Sequence, residues 1–370
     1  MEMTITAKIK ISPTIEQQSL LQDTVRAYQM GCNFVSSLVF QKKELAQLKL
    51  HKMTYEVLRN EYSLRSQMAQ SVMKTVIARY KSAKSNGHEW KKVQFKKPEY
   101  DLVWNRDYSL TKDFFSINTL EGRVKVPFET KGMERYLDGS WSFGTAKLVM
   151  KYGKFFLHIP MTKEIESVSE QNIKQVVGVD FGINFVASTY DSQGKSLFFN
   201  GRAINDKRSH YKHLRKQLQQ KQTSSARRRL QAIGQRETRW QADVNHTVSK
   251  ALVTRYGANT LFVIEDLSGI RQATERVRVQ DRYQTVSWAF YQLRQMLEYK
   301  ALLHGSKVIA VDPKYTSQTC PKCGHTNRAN RNKKKHTFCC KNCSYQSNDD
   351  RIGAINLQRK GIEYIVEVTA

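Results

Sequence analysis

The chain has 370 residues, 40% of them hydrophobic, which is enough for a packed core and two or three domains. Lys and Arg number 61 against 33 Asp and Glu, a net charge of +28 spread along the whole chain, so the expected partner is a polyanion lying in long grooves, not one held by a sticky tail. No apolar run approaches the ~20 residues that span a bilayer, the opening MEMTITAKIK has no signal-peptide core, and four of six cysteines stand in CxxC pairs; a membrane-surface role is the weaker reading, disulfides are open only outside the cytosol, and a reducing, cytoplasmic setting is expected.

Thr4 to Ile11 alternates polar and apolar side chains and reads as a half-buried strand, followed by Ser12-Pro13 as a helix start with Pro at the first helical position. Leu21, Val25, Tyr28, Cys32, Val35 and Leu38 form a helical stripe in which Cys32 reads as a small core residue. A second helix is expected from about Tyr55 to Lys84, with Met68, Val72, Val76 and Tyr80 on its buried face. Gln70 and Lys74 lie on another face, either as solvated polar residues or as part of a DNA-reading surface. After Asn86-Gly87 the pattern changes to short strands around Phe114–Ile117, Val124–Val126, Leu148–Met150 and Phe155–Ile159, with turns at Asp138-Gly139 and Gly153. This predicts a small β-barrel or sandwich that the first strand joins, with the helices inserted as a separate lobe. Trp90, Phe95, Tyr100 and Trp104 are explained by core packing, with base stacking open for one or two.

QVVGVDFGINFVAS, from Gln175 to Ser188, predicts two strands around Gly182, with Asp180 inside the apolar run. A carboxylate there is costly to bury without a positive partner, which leaves a metal ligand, an Arg pair or a turn cap as readings. A long basic helical region follows, about Lys207 to Tyr256, including Arg215, Lys216, Arg227 and Arg228. With few compensating acids it reads as a phosphate-binding face, with Trp240, Val244 and Val248 on its buried side and His246 as a structural residue or backbone partner. Thr260 to Ile264 is a further strand that delivers Glu265 and Asp266 at its end. Residues 268–284 suit a mobile loop, Trp288 to Leu303 a helix, and Val308 to Val311 a strand.

Cys320-x2-Cys323 and Cys340-x2-Cys343, sixteen residues apart, have the spacing of a zinc ribbon: four thiolates for one structural Zn²⁺. Cys339 could stand in for Cys340, but only Cys340 preserves the two-residue gap; His325 and His336 are spare candidates. The insert from Arg328 to Lys335, with Lys333 and Lys334, has no core of its own and should be ordered by metal closure. Asp350 then stands at the start of a helix, where it could be a cap, and Gly353 and Ala354 would let that helix sit close to a sheet. Because Asp349 adjoins it, one of the two acids is free for other work. Asp180, Glu265 and Asp350, converging at a sheet edge, would hold two Mg²⁺ or Mn²⁺ ions ~4 Å apart for in-line phosphodiester hydrolysis. The fold class expected is therefore α/β plus β.

The segments VGVDFGINFVAS, VIEDLSGI and NDDRIGAINL, with YTSQTCPKCG between the last two, resemble the TnpB proteins encoded by insertion sequences. The C-terminal motifs carry the resemblance; the N-terminal half matches in layout only. The resemblance implies a prokaryotic RNA-guided DNA endonuclease with a RuvC (RNase H-like) nuclease at 176–318 and 346–370 and a zinc-ribbon insert at 319–345. It also implies a wedge β-barrel at 1–12 and 88–175 and a helical recognition lobe at 13–87. A guide RNA from the transposon end would fill the basic groove of a monomer, and the protein would read a short motif flanking its double-stranded DNA target. Asp180, Glu265 and Asp350 are the family's three acids, Asp350 being preferred to Asp349 because it stands six residues before Asn356. The Asp doublet, Ser344 in place of a Gly, and a missing long C-terminal tail are departures from the pattern. Small type V CRISPR effectors share this nuclease and are the near alternative; a nuclease-inactive RNA-guided repressor is the distant one, and no acid triad for a transposase stands elsewhere in the sequence.

Overall fold

The computed structural model describes residues 1–97, 99–111, 113–129, 133–151, 153–267, 290–333 and 335–369. The loop expected at 268–284, the helix start at Trp288 and the candidate Lys334 lie outside the described residues. The chain forms two units, Glu2–Glu164 and Ile165–Ala370 together with Met1.

In the first unit, β1 (Glu2–Ile11) runs antiparallel to the last strand, β8 (Lys154–Glu164), from Glu2↔Glu164 to Ile11↔Phe155. The alternation seen in the sequence puts Met3, Ala7, Ile9 and Ile11 inward. The sheet continues through β7 (Ala146–Lys151) to β2 (Glu99–Leu102), with β6 (Ser142–Phe143) also on β8. A second sheet joins β3 (Tyr108–Leu110), β4 (Phe114–Thr119) and β5 (Gly122–Pro127) in that order.

Between β1 and β2 lie α1 (Ile15–Lys42), α2 (Gln47–Asn60) and α3 (Ser66–Ser85). Two expectations are corrected here. The first helix begins at Ile15 and not at Pro13, because Thr14 and Gln17 cap each other's backbone N–H in a capping box. The helix expected over 55–84 is two helices: Ser63 adopts a left-handed φ of 53°, and the fully buried Leu64 plugs the turn, its N–H bonded to the Leu58 carbonyl. Cys32 is buried in α1, as are Met68, Val72, Val76 and Tyr80 in α3. The aromatics after α3 pack within this unit: Trp90 lies 5.0 Å from Tyr80 and donates to the Phe40 carbonyl, and Tyr100 lies 5.0 Å from Tyr28. Trp104 lies 4.8 Å from Phe143.

The second unit is built on a five-stranded sheet of order β11 (Ser196–Asn200), β10 (Phe185–Tyr190), β9 (Gln175–Asp180), β12 (Thr260–Glu265), β13 (Lys307–Val311). The three strands of the first hairpin run antiparallel, whereas β12 lies parallel to β9 and β13 parallel to β12. Both faces are covered, which is why β9 and β12 read as unbroken apolar runs. On one face Val177, Val179, Phe262 and Ile264 pack against Val248 and Leu252 of α5 (Ser224–Tyr256) and Leu293 and Leu297 of α6 (Phe290–Leu303). On the other, Val176, Leu261 and Val263 meet Leu357 of α7 (Asp349–Thr369).

The basic helical region is a helical hairpin. α4 (Arg202–Lys221) stops at Gln222 with a left-handed φ of 51°, and Thr223 caps α5 through the Ala226 N–H. Arg215 is ion-paired with Glu237 across the hairpin, and the Lys207 ammonium sits 4.6 Å from the Trp240 ring centroid. No described helix is long and apolar enough to cross a membrane.

Candidate functional site

Three elements bring the three sequence-nominated acids to one end of the five-stranded sheet. Asp180 is the last residue of β9, Glu265 the last residue of the neighbouring parallel β12, and Asp350 lies in the first turn of α7. Helix α7 comes this close because glycines stand at both surfaces. A Cβ on Gly178 would collide with the Ala354 carbonyl oxygen, and one on Gly353 would lie 2.5 Å from Asp180 Oδ2. Gly353 was legible in the sequence as a close-approach residue; Gly178 was hidden inside an ordinary strand.

The adjacent acids divide the work. Asp349 is fully buried, accepts from Arg331 Nε at 2.8 Å and lies 3.8 Å from His336 Nδ1. Asn348 Oδ1 caps the helix, accepting from the Asp350 and Arg351 N–H groups at 3.0 and 3.1 Å, and Asp349 Oδ1 also accepts from the Asp350 N–H at 3.1 Å. That leaves Asp350, 8% exposed, with a buried Oδ2 that has no hydrogen-bond partner among the described residues. Asp180 makes no ion pair among the described residues, while Glu265 Oε1 accepts from Thr316 Oγ1 at 2.6 Å.

Burial raises the pKa of all three carboxyls above the usual carboxylate range. For Asp180 the charges of Glu265 and then Asp350 add to the rise; for Asp350 the charge of Asp349 adds to it. The Arg331 guanidinium opposes the rise at each. A cluster of desolvated, mutually repelling carboxyls with an orphaned oxygen has the donor chemistry of a divalent-cation site, since hard oxygen ligands suit Mg²⁺ or Mn²⁺. His336, Asp349 and Asp350 also offer ligand atoms within 4.8 Å of one another; Asp180 and Glu265 fall outside that group.

The cysteine cluster packs against the helix that carries Asp350. Sγ atoms of Cys320, Cys323, Cys340 and Cys343 all lie within 4.8 Å of one another, with Cys320–Cys343 at 3.6 Å and Cys323–Cys340 at 3.5 Å. Tetrahedral thiolates ~2.3 Å from one ion would be about 3.8 Å apart, so the quartet fits a structural metal site. Cys339, His325 and His336 are not in the quartet. The exposed Cys323 thiol is pulled down to about 6, chiefly by the His325 backbone N–H, whereas Cys343, against the pull of the Tyr345 N–H, is pushed up to about 12 by burial and by its contacts with the other three thiols. Cys320 and Cys340 are buried against Phe338 and against Ile352 and Ile355 of α7. The insert is a three-stranded ribbon of β14 (Arg331–Asn332), β15 (Thr337–Cys339) and β16 (Gln346–Asn348).

Of the nucleic-acid candidates, Lys216, Arg227, Arg228 and Lys333 are exposed, Lys74 is exposed on α3, and Gln70 is half-buried there. Arg215 is half-buried and committed to Glu237. The sequence reading had no signal for Arg331 or Thr316. Arg331 sits in a run of basic residues that all read alike, and Thr316 is one of several hydroxyls before the first cysteine.

Comparison with known proteins places the chain among relatives. Residues 158–270 match the OrfB_IS605 family model, described as "Probable transposase", and residues 290–357 match the Cas12f1-like TNB domain. The chain is 26% identical over 283 residues to the CRISPR-associated endodeoxyribonuclease Cas12f1 of Syntrophomonas palmitatica, covering 70% of this chain and 55% of that protein. It is 27% identical over 257 residues to a TnpB-like protein of Methanocaldococcus jannaschii, covering 67% of this chain and 87% of that one. Thus the match spans about half the length of the Cas12f1 relative. Among solved structures, the fold is similar to that in a cryo-EM structure of a Cas12f1–sgRNA–target DNA complex, with a TM-score of 0.59, 12% identity, and coverage of 96% of this chain and 99% of that one. The chain is therefore related to the TnpB proteins and to Cas12f1, as its three acidic segments and cysteine pairs imply.

Proposed function

We propose that this protein is an RNA-guided DNA endonuclease that hydrolyses phosphodiesters of its target at a single RuvC-like acidic site. The observation that carries the reading is the meeting of Asp180, Glu265 and Asp350 at one sheet end while Asp349 is neutralised by Arg331. The sheet order, three antiparallel strands followed by two parallel ones with a helix packed behind the acids, is consistent with an RNase H-like nuclease. Two divalent cations, when bound there, would supply the positive charge that directs water at the phosphorus and steadies the departing 3′ oxygen. The chain's own part is to hold three carboxyls desolvated and converging, so that a cation relieves their repulsion and the phosphodiester is gripped in a fixed register. Zinc in the cysteine quartet would serve shape alone, fixing the ribbon against α7.

The names of the relatives support a guide RNA and a DNA target as partners. The net charge of +28 supports the same polyanions, and exposed Lys216, Arg227, Arg228 and Lys333 are the proposed phosphate contacts. The first unit is proposed to act as wedge and recognition lobe, with Gln70 and Lys74 on α3 facing the flanking DNA motif, in a monomer on one RNA. Whether that RNA comes from a transposon end or a CRISPR array is decided by sequencing what copurifies.

The test is cleavage by the copurified protein–RNA complex of DNA matched to that RNA, in Mg²⁺, with Asp180→Ala as control. Cutting by the wild type alone, with equal DNA binding by both, is the expected result. A wild-type complex that binds matched DNA and never cuts it would instead be a repressor.

A further inference from the structure

We propose that Thr316 and Asn356 are positioning residues for Glu265, so that the helix carrying Asp350 also sets the second acid. The inference rests on the reading of Glu265 as a cation ligand and deepens it. Thr316 is 3% exposed and lies in the turn that leads from β13 toward the first cysteine pair. Its hydroxyl touches two acceptors: Glu265 Oε1 at 2.6 Å and the Pro313 carbonyl at 2.9 Å. Asn356, 7% exposed and on α7 one and a half turns beyond Asp350, donates its amide to the carbonyls of Thr316 at 2.6 Å and Thr319 at 2.9 Å. These bonds pin the turn from within, and Tyr315, at a left-handed φ of 64°, bends it.

Thr316 donates to the Glu265 carboxylate, and 2.6 Å is the length of such a charge-assisted bond. Glu265 is thus anchored through Oε1, and Oε2, which carries no hydrogen bond among the described residues, is the oxygen presented to a cation. Asp350 and Asn356 share one helix, and Asn356 holds the turn whose Thr316 hydroxyl meets Glu265, so two acids on separate elements keep a fixed separation.

The experiment is Mn²⁺ titration of the full chain by calorimetry, with zinc content and melting temperature measured alongside. Thr316→Val keeps the shape and removes the hydroxyl; it is expected to weaken Mn²⁺ binding by about tenfold, the equivalent of one hydrogen bond to a charged group. Thr316→Ser is expected to restore affinity to within about twofold, a rescue that a purely packing role would not give. In cleavage, the Mg²⁺ needed for half-maximal rate should rise with Thr316→Val and the rate recover at high Mg²⁺. If Glu265→Gln abolishes Mn²⁺ binding while Thr316→Val, with zinc and melting intact, keeps it, this inference alone is overturned. If Glu265→Gln binds Mn²⁺ as the wild type does, the acid-site reading fails and takes the inference with it. Should Thr316→Val lose its zinc, Asn356→Gln, which moves the amide by one methylene, decides instead: unchanged Mn²⁺ affinity there overturns the proposal and weakened affinity with zinc retained supports it.

Discussion

Gly353 faces the carboxylate of Asp180 so closely that a methyl group in place of its hydrogen would lie 2.5 Å from Oδ2. Gly178, facing the Ala354 carbonyl, sets how near α7 comes to the sheet, and Gly353 lets the Asp180 carboxylate lie against the helix that carries Asp350.

Gly353→Ala should displace the Asp180 side chain while the fold survives, because the clashing atoms belong to a side chain that can turn. Cleavage is expected to drop by 10²-fold or more for a displacement near 1 Å, with the melting temperature little changed. Gly178→Ala meets backbone, the Ala354 carbonyl, and has nowhere to go. It should cost about 1–3 kcal/mol or more of stability, seen as a lower denaturant midpoint; equal effects of the two substitutions would contradict this geometry.

The acid doublet separates by what is lost. Asp349→Ala leaves Arg331 without its buried partner and should destabilise the unit on the order of 3 kcal/mol. Asp350→Ala removes a carboxyl whose Oδ2 has no partner among the described residues, so stability should hold or rise while cutting is abolished. Paired unfolding and cleavage measurements on the two variants check the assignment.

The raised pKa of Asp180 has a stability consequence with a definite sign. In the folded protein this carboxyl keeps its proton to higher pH than in the unfolded chain, so its contribution is favourable below its ordinary pKa near 4 and is lost as pH rises through the raised value. Without divalent ions, Asp180→Asn should therefore melt higher than wild type at pH 7, with the difference shrinking toward pH 4 at up to about 1.4 kcal/mol per pH unit. Adding Mg²⁺ should stabilise the wild type and leave the variant behind. Melting curves across pH with chelator and with Mg²⁺ test this; a difference independent of pH would rule it out.

Removing zinc should undo more than the ribbon. Cys320 and Cys340 rest on Ile352 and Ile355 of α7, and the ribbon supplies Arg331 to Asp349. Cys340→Ser, or chelation, is expected to release one zinc per chain and lower the melting temperature of the second unit, structural zinc being worth ~10 kcal/mol of folding at neutral pH. Cys339→Ser, outside the quartet, should retain the metal and the melting temperature.

Sequence alone determined the parts whose signal is local. The apolar runs ending in Asp180 and Glu265 specify two strands delivering acids, since a strand buried on both faces has no polar alternation. The two CxxC pairs specify the quartet, because cysteines two residues apart can grip one ion from a single turn. That the first strand joins the strands of the first unit was also legible from its alternation; that its partner is β8 was not. What the sequence left open depends on groups far apart in the chain. The roles of Asp349 and Asp350 are indistinguishable as neighbouring letters; they part only when folding brings Arg331, eighteen residues earlier, against one of them. The helix break at Ser63 carries no Gly or Pro, so periodicity ran through it and packing of Leu64 decided; the break at Gln222, also without Gly or Pro, was left open by the sequence and is set by the Thr223 cap. Arg215 counted as a phosphate contact until Glu237 met it across the hairpin. Thr316 became visible only as Glu265's neighbour, because a hydroxyl has no function until the fold supplies its acceptor.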